Sequence, residues 1–524
     1  MNTPEMAVAP AGGFRRSLLA MSGLALVLML SALDQTVVGT ALPRIAEELH
    51  GFDRYTWVAT SYLLASVISL PIAGRLGDHH GRKPFVLAAT IIFVLASLGC
   101  GAAATMDQLI VARGCQGIGG GMLIGTAFAC IPELFPDTRQ RLRWQMLLSM
   151  AFSIVNATGP MLGGMLTQDV SWRWVFYINL PLGLLALILV YRHLPWLRPM
   201  SGSQTRFDWR GAAWLAVLLG AGQAAVQWHA HPVWPALAAG LALVRLLREQ
   251  PRTRHPLLPP VMFADPGLRG LFGLSLLAGA IMFSLLFYLP LLFQAGYGYS
   301  PRTAGWLITP LVLCITLGAI FNGRIVARLE DPRRLPLTGF VLLMLACVGI
   351  AVSGRGAGPG LLLSLTFAAG LGLGLILMNL TLFTQARAHR EHLGIATAVC
   401  QGLRLVGGML GAALAERVVN GVYPQALARQ LAAMHLPTMA SAWSSPGSVL
   451  RMPMRAGVAA PEPMPWIQAW QAARHSLIQS VDVVCLLLGL LALAALIWLM
   501  RLPRISLQPP LSSSGQPAEI SSPD

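Results

Sequence analysis

Charge is what this sequence has least of. Asp, Glu, Lys and Arg together make up 11% of 524 residues, against roughly 25% in an ordinary soluble domain. That scarcity excludes a water-soluble globular protein. Acidic residues are the scarcer kind, 21 against 37 basic, which leaves a net charge of +16. Cysteine is also rare, with seven and no CxxC pair, so neither a disulfide framework nor a thiolate metal site is implied, and the cysteines read as small buried hydrophobes. His79 and His80 are adjacent and lack further ligands at suitable spacing, so no metal is expected. No long polar domain of the kind a sensor would use for output is present. Nor do candidate catalytic side chains cluster at one end of the apolar segments, which argues against an enzyme.

What is present is apolar: 55% of the chain, arranged in runs of about the 20 residues that a helix needs to cross the ~30 Å hydrocarbon layer. Fourteen are expected, at 17–42, 55–76, 84–104, 107–131, 144–167, 173–194, 211–228, 232–248, 268–294, 303–327, 335–353, 359–385, 394–420 and 477–500. On a membrane protein the basic excess is first a topology signal rather than a nucleic-acid footprint. Most of the arginines fall in segments on one side, which puts both termini in the cytoplasm and requires an even number of spans. The opening FRRSLLAMSGLALVLML runs past signal-peptide length and reads as an uncleaved first helix.

The spacing divides the chain as 6+2+6. A cytoplasmic N-terminus, 1–16, precedes a six-helix unit, 17–194. Linker segments and two extra helices follow over 195–267. A second six-helix unit covers 268–504, interrupted by an outer loop at 421–476, and a polar tail, 505–524, reads as disordered. In the loop, Leu427, Leu431 and Met434 stand at helical spacing and predict a short amphipathic helix; the remainder reads as irregular. Two six-helix units fit transporters whose substrate site lies near the bilayer midplane between repeats that rock against each other.

Four short stretches carry the chemistry. GRLGDHHGRKPF supplies Gly74, Asp78, Gly81, Arg82 and Lys83, glycines for a tight turn and charges able to latch one conformation; the alternative is a solvated loop that sets topology. NATGPMLGG supplies Gly159, Pro160, Gly163 and Gly164, a packing hinge in the fifth span. LDQTVVGTALP puts Asp34 inside the first span, and RGCQGIGGG puts Arg113 inside the fourth. At 1.5 Å per residue the two charges lie roughly 12 and 9 Å from the same end of their helices, so they can meet if those helices are neighbours. These stretches resemble, in order, the inner-loop signature, the fifth-helix antiporter motif, and the first- and fourth-helix motifs of the major facilitator superfamily's fourteen-helix drug:proton antiporters. Here His79 replaces an Arg, Val155 a Gly and Gly39 an Asn.

The resemblance implies an all-α polytopic membrane protein of the major facilitator fold, two six-helix bundles plus two central helices. It implies an exporter in the inner membrane that exchanges amphipathic small molecules for protons, driven by the proton motive force without a cofactor. Asp34 either carries the coupling proton or neutralises Arg113 permanently; both roles remain open from the residues alone. Gln116, Tyr62, Phe287, Asn379, Gln401 and Arg404 are candidates to line the substrate cavity, with ordinary packing as the alternative for each. Arg404 has no carboxylate at its depth and is expected to hydrogen-bond with Gln401 or Asn379. The length of the outer loop admits a periplasmic adaptor as a further partner; nucleic acid is not expected. An exporter dedicated to one metabolite or siderophore would share every motif.

Overall fold

A computed structural model describes residues 14–135, 138–196, 208–227, 232–253, 260–326, 329, 331–354, 357–388, 393–451 and 464–502. The tail at 505–524, most of the N-terminal segment and much of both linkers lie outside these residues. The described chain is helical throughout: α1 (Phe14–Glu48), α2 (Trp57–His80), α3 (Arg82–Ala102), α4 (Met106–Leu134), α5 (Thr138–Asp169), α6 (Trp174–Tyr177) and α7 (Asn179–His193). Then come α8 (Trp209–Gln227), α9 (Val233–Glu249), α10 (Pro260–Ala264), α11 (Pro266–Leu291), α12 (Pro301–Ile325), α13 (Arg334–Ser353), α14 (Pro359–Arg387), α15 (Leu393–Ala433) and α16 (Met464–Arg501).

Local chemistry sets the ends of these helices. Pro266, Pro301 and Pro359 each open a helix, where the missing N–H costs nothing. Asp265 and Ser300 cap α11 and α12 by accepting from the N–H groups of Gly267 and Thr303. Gly81 turns the chain between α2 and α3 with φ of 86°, in the region that favours glycine.

Among the described residues ten helical segments, α6 and α7 counted as one, are long and apolar enough to cross a membrane, so the protein is a multi-pass membrane protein. The helices α4, α5, α8 and α9 lie at the four other predicted spans. Exposed apolar side chains such as Leu95, Val111, Leu184, Trp234 and Leu490 point away from the core, as a lipid-facing surface requires.

Helix neighbours repeat. In the first half α1 packs on α5 and α7, α4 on α2 and α3, and α3 on α7. In the second half α11 packs on α15 and α16, α14 on α12 and α13, and α13 on α16. The same pairing rule holds in both, which makes two equivalent bundles. Between them α5 meets α12, α2 meets α15 and α1 meets α11. The extra helices α8 and α9 pack on each other, and α8 also touches α15 and α2, at this seam.

The outer segment departs from expectation. Instead of a short separate helix after 421, α15 runs unbroken for 41 residues through Pro424 to Ala433. The reason is burial: Tyr423, Leu427 and Leu431 pack into the core beneath a cap formed by the following turns. The Tyr423 hydroxyl donates to the Trp443 carbonyl at 2.8 Å, and Trp470 Nε1 donates to the Val449 carbonyl at 3.0 Å. Residues 452–463 of the predicted loop lie outside the described residues.

At the opposite end Asp265 holds two jobs. It caps α11 and accepts from Arg387 Nε and Nη2 of α14 at 2.7 and 3.0 Å. The Arg387 hydrogen bond holds its carboxyl below the ordinary value, so its stabilisation is present above that ordinary value and is lost as pH falls through the lowered one. Asp265→Ala is expected to lower unfolding stability by about 1–2 kcal/mol at neutral pH, with the difference shrinking as pH falls below the ordinary carboxylate range. Thermal unfolding in detergent across that pH range measures it; an undiminished difference in acid would contradict the assignment.

Candidate functional site

Asp34 lies two-thirds of the way along α1, and Arg113 lies seven residues after the start of α4. Both are almost fully buried, at 1% and 2% exposure. Arg113 Nη1 donates to Asp34 Oδ2 at 2.5 Å and to Gln116 Oε1 at 2.6 Å, while its Nε donates to the Val58 carbonyl of α2 at 3.1 Å. Gln116 closes the triangle, with Nε2 donating to Asp34 Oδ1 at 2.8 Å and to Ser97 Oγ of α3 at 2.6 Å. Asn179 Nδ2, at the start of α7, reaches Ser97 Oγ at 3.3 Å. Five helices therefore meet at one ion pair.

The spacing within α4 makes this possible. Arg113 and Gln116 are three residues apart and share one face, so both reach the same carboxylate. Above the guanidinium sits Tyr62, its ring centroid 4.5 Å from Arg113 Cζ, a cation–π contact in a desolvated setting. Its hydroxyl pairs with Ser31 Oγ at 3.1 Å. Small residues let the helices close this tightly: a Cβ at Gly120 would fall 2.3 Å from the Tyr62 hydroxyl, and one at Gly117 would fall 2.4 Å from the Tyr62 carbonyl. Gln116 and Tyr62, candidates for the cavity wall on sequence grounds, thus stand inside the charge network.

The other predicted residues separate into groups. Gly159 and Gly163 of α5 lie against α1, where added Cβ atoms would meet Thr36 Oγ1 and Thr40 Oγ1; a Cβ on Gly164 would fall 2.3 Å from the Pro301 carbonyl of α12. Across the seam a Cβ on Gly305 would fall 2.4 Å from the Pro160 carbonyl. The motif makes backbone-to-backbone contact between the two bundles. Phe287 is buried at the seam, its carbonyl accepting from the Tyr55 hydroxyl at 2.8 Å.

In the second bundle Asn379 Nδ2 donates to Asn322 Oδ1 and to the Leu375 carbonyl, both at 2.7 Å. Among the described residues no hydrogen bond joins Asn379 or Gln401 to Arg404, so the expected partnership is not formed. Gln401 and Arg404 are half-buried on α15. Gly74 and Asp78 lie in the helical backbone of α2 before the α2–α3 turn, and the Asp78 side chain lies outside the described residues. Arg82 and Lys83 begin α3. Lys83, the only lysine in the chain, is buried: its Nζ donates to the Tyr191 carbonyl at 2.7 Å and lies over the rings of Tyr191 and Trp196. It ties α3 to the end of α7. The pairing of a lone lysine with two downstream aromatics leaves no spacing signal in the sequence.

Hydrogen bonds between described residues that cross the bundle seam gather at the end opposite Phe14 and Arg501, here called the far end. Besides Tyr55 on Phe287, they include Gln294 Nε2 on the Thr40 carbonyl at 2.8 Å, the Arg302 N–H on Gln168 Oε1 at 3.1 Å, and the ion pair between Arg302 and Asp169. The far end is sealed by both side chains and backbone. The near end holds the termini of the described chain.

The chain matches the family described as Major Facilitator Superfamily over residues 24–412. It is 31% identical over 414 residues to multidrug transporter protein MdtP of Bacillus subtilis, an alignment covering 78% of this chain and 76% of that one. It is 33% identical over 309 residues to multidrug resistance protein 3 of the same organism, covering 57% of this chain and 60% of the relative. Among solved structures, a bacterial homologue of the human lysosomal transporter Spinster, inward-facing and unoccupied, superposes with a TM-score of 0.65 at 16% identity, covering 95% of this chain and all of that one. A D-xylose–proton symporter superposes with a TM-score of 0.56 at 14% identity, covering 86% and 98%. Both show a shared fold.

A clash test follows from the α5 contacts. Gly163→Val places methyl groups against Thr40 Oγ1 and the Val37 carbonyl, so it is expected to cost roughly 1–3 kcal/mol by overpacking and to lower the yield of monodisperse protein. Gly114→Ala, where nothing stands within 4 Å, is expected to behave as wild type. Size-exclusion profiles of the two variants side by side decide this; equal profiles would contradict the close approach.

Proposed function

We propose that this chain, which belongs to the Major Facilitator Superfamily, is a proton-coupled exporter of amphipathic small molecules that works by alternating access. It is a membrane transporter, not an enzyme, and transporters of this family use no cofactor. Relatives named as multidrug transporters and efflux pumps support the export direction and a broad substrate range. The observation that carries the coupling is the Asp34–Arg113–Gln116 triangle, a carboxylate buried where a single proton would change every bond it makes.

Ionised, Asp34 accepts on both oxygens. Adding a proton turns one oxygen into a donor facing the N–H groups of Arg113 and Gln116, which cannot accept at those positions. The carboxyl must then rotate or the helices part, and Arg113 loses its counter-charge while remaining desolvated. Since α1 touches α11 and α12 as well as α4, such a shift reaches the bundle seam. A proton entering down its gradient supplies about 2.3 kcal/mol per 100 mV of membrane potential, plus its concentration term.

In this reading all fourteen helical segments cross the bilayer, α8 and α9 being about 28 and 26 Å long at 1.5 Å per residue, close to the ~30 Å layer. The arginine-rich near end is assigned to the cytoplasmic side of the inner membrane, and the hydrogen bonds that join the bundles at the far end support an inward-facing assignment. Gln401 and Arg404 face the substrate path, Gly159, Pro160, Gly163 and Gly164 form the hinge, and Gly74, Asp78, Gly81, Arg82 and Lys83 act as the cytoplasmic latch.

The test is efflux of a cationic dye such as ethidium from proteoliposomes under an imposed pH gradient, with Asp34→Asn beside wild type. Asn keeps the shape and one acceptor but cannot ionise. We expect gradient-driven transport to fall at least about tenfold, equivalent to 1.4 kcal/mol, while downhill equilibration persists. A variant that still accumulates dye against its gradient with unchanged proton flux would rule out Asp34 as carrier. Activity toward one compound in a broad panel, and toward no other, would indicate a dedicated exporter instead.

A further inference from the structure

A second carboxylate is buried at the far end of the seam. Glu416 of α15 is 5% exposed. Its Oε2 accepts from Gln227 Nε2 of α8 at 3.0 Å, and its Oε1 accepts a longer bond, 3.4 Å, from the N–H of Thr56 at the start of α2. It thus touches the first bundle, the second bundle and the extra helix pair at once. Among the described residues it has no cationic partner: the adjacent Arg417 turns away and donates to the Val226 carbonyl at 3.2 Å.

The surroundings are polar and incompletely satisfied. Among the described residues Gln227 Oε1 has no hydrogen-bond partner, and one turn earlier on α8 neither end of the Gln223 amide has one, although Gln223 is fully buried. Ala212, Leu219, Gln223 and Gln227 form a single buried stripe on α8. Leu219 is part of the main core and Gln227 touches Glu416, so Gln223 faces the seam too. On α15 the positions one turn before Glu416 are Ala412 and Ala413, both buried and each carrying only a methyl group. Buried amides with both donor and acceptor ends open need a small species that both accepts and donates, which is the chemistry of water.

We propose that Glu416, with Gln227, Gln223 and water held between them, is a second proton-binding site, built around the extra helix α8. It rests on the reading of this chain as proton-coupled. When the far end opens, Thr56 departs with the first bundle and exposes Oε1 to the far-side solution. There a hydronium ion transfers its proton to that oxygen, forming the carboxylic acid and releasing water. Closure then carries the neutral acid into the seam, where Gln227 bonds to it.

Other ionisable groups around Glu416 are few or already engaged. From α2 and its approach come exposed Asp53, Arg54 paired with Asp107, and Tyr55, whose hydroxyl is spent on Phe287. From α11 comes Tyr288, paired with Thr56 Oγ1 at 3.1 Å. On α16, Arg474 donates to the Gly296 carbonyl and Asp482 stands beside Tyr297 and Cys485. On α14, Arg387 is paired with Asp265 at the near end. The described stripe of α8 offers amides alone.

Infrared difference spectroscopy of the full-length protein in lipid nanodiscs, titrated over about pH 4 to 9, tests this with no substrate. A titrating protonated-carboxyl stretch is expected in wild type and in Asp34→Asn, lost in Glu416→Gln, and shifted in Gln227→Leu, which leaves Glu416 in place but removes its donor. Identical wild-type and Glu416→Gln spectra, or no shift in Gln227→Leu, would overturn the proposal. Because the signal needs no transport, its failure is separate from failure of the export reading, which would show as absent proton flux during ethidium efflux by wild type.

Discussion

One ion pair organises the first bundle. Asp34 and Arg113 could each be expelled from a membrane core on energetic grounds, since an isolated charge there costs at least several kcal/mol. Together, with Gln116 bonding to both and Ser97 and Asn179 beyond it, they form a network that is tolerable only while α1, α3, α4 and α7 keep their positions. Everything nearby serves this closeness. The glycines at 117, 119, 120 and 121 bring α4 against α2 and α3, and Tyr62 covers the guanidinium with a ring face instead of lipid. A buried pair of this kind is weak evidence for stability, because well-packed apolar residues would do as well or better. Under the proton-coupled function proposed above, the pair is kept for what one added proton does to it.

The two bundles meet through a different chemistry. Where α5 crosses α12, the contacts are glycine against backbone carbonyl in both directions: Gly164 on Pro301, and Gly305 on Pro160. A surface without side chains lets two helices lie very near each other, yet offers little interdigitation to resist sliding or parting. The far end adds single hydrogen bonds from Tyr55 and Gln294 and a backbone bond and exposed ion pair from Arg302, each of modest net strength. The seam is therefore close-fitting yet held by few strong contacts, which suits the alternating access proposed above.

Much of this was legible in the residues. Span positions followed from hydrophobic run length, and the depth match of Asp34 and Arg113 followed from helical rise alone. The bridging role of Gln116 was hidden, although its three-residue offset from Arg113 was the signal that could have shown it. Tyr62 and Phe287 looked like generic pocket aromatics because a sequence carries no direction for a side chain on an apolar helix. The burial of Lys83 depended on Tyr191 and Trp196, more than a hundred residues away. The full length of α15 was hidden because the apolar run at 394–420 and the short amphipathic stripe after it read as separate pieces, whereas burial of Tyr423, Leu427 and Leu431 under the cap joins them. The burial of Glu416 depends on Gln227 of α8, nearly two hundred residues away, and leaves no spacing signal.

The long helices at the far end have a mechanical consequence. With 41 residues, α15 is about 60 Å long at 1.5 Å per residue, and α16, with 38, nearly matches it. The cap between them is stitched to both, through Tyr423 on one side and Trp466 and Trp470 on the other, and presses Gly447 against Phe52 of the opposite bundle. Such a pair acts as a lever: pivoting by about 10° at the near end would swing the tip roughly 10 Å. A tilt small enough to leave the packing among helices of the second bundle intact would lift the cap clear of Phe52.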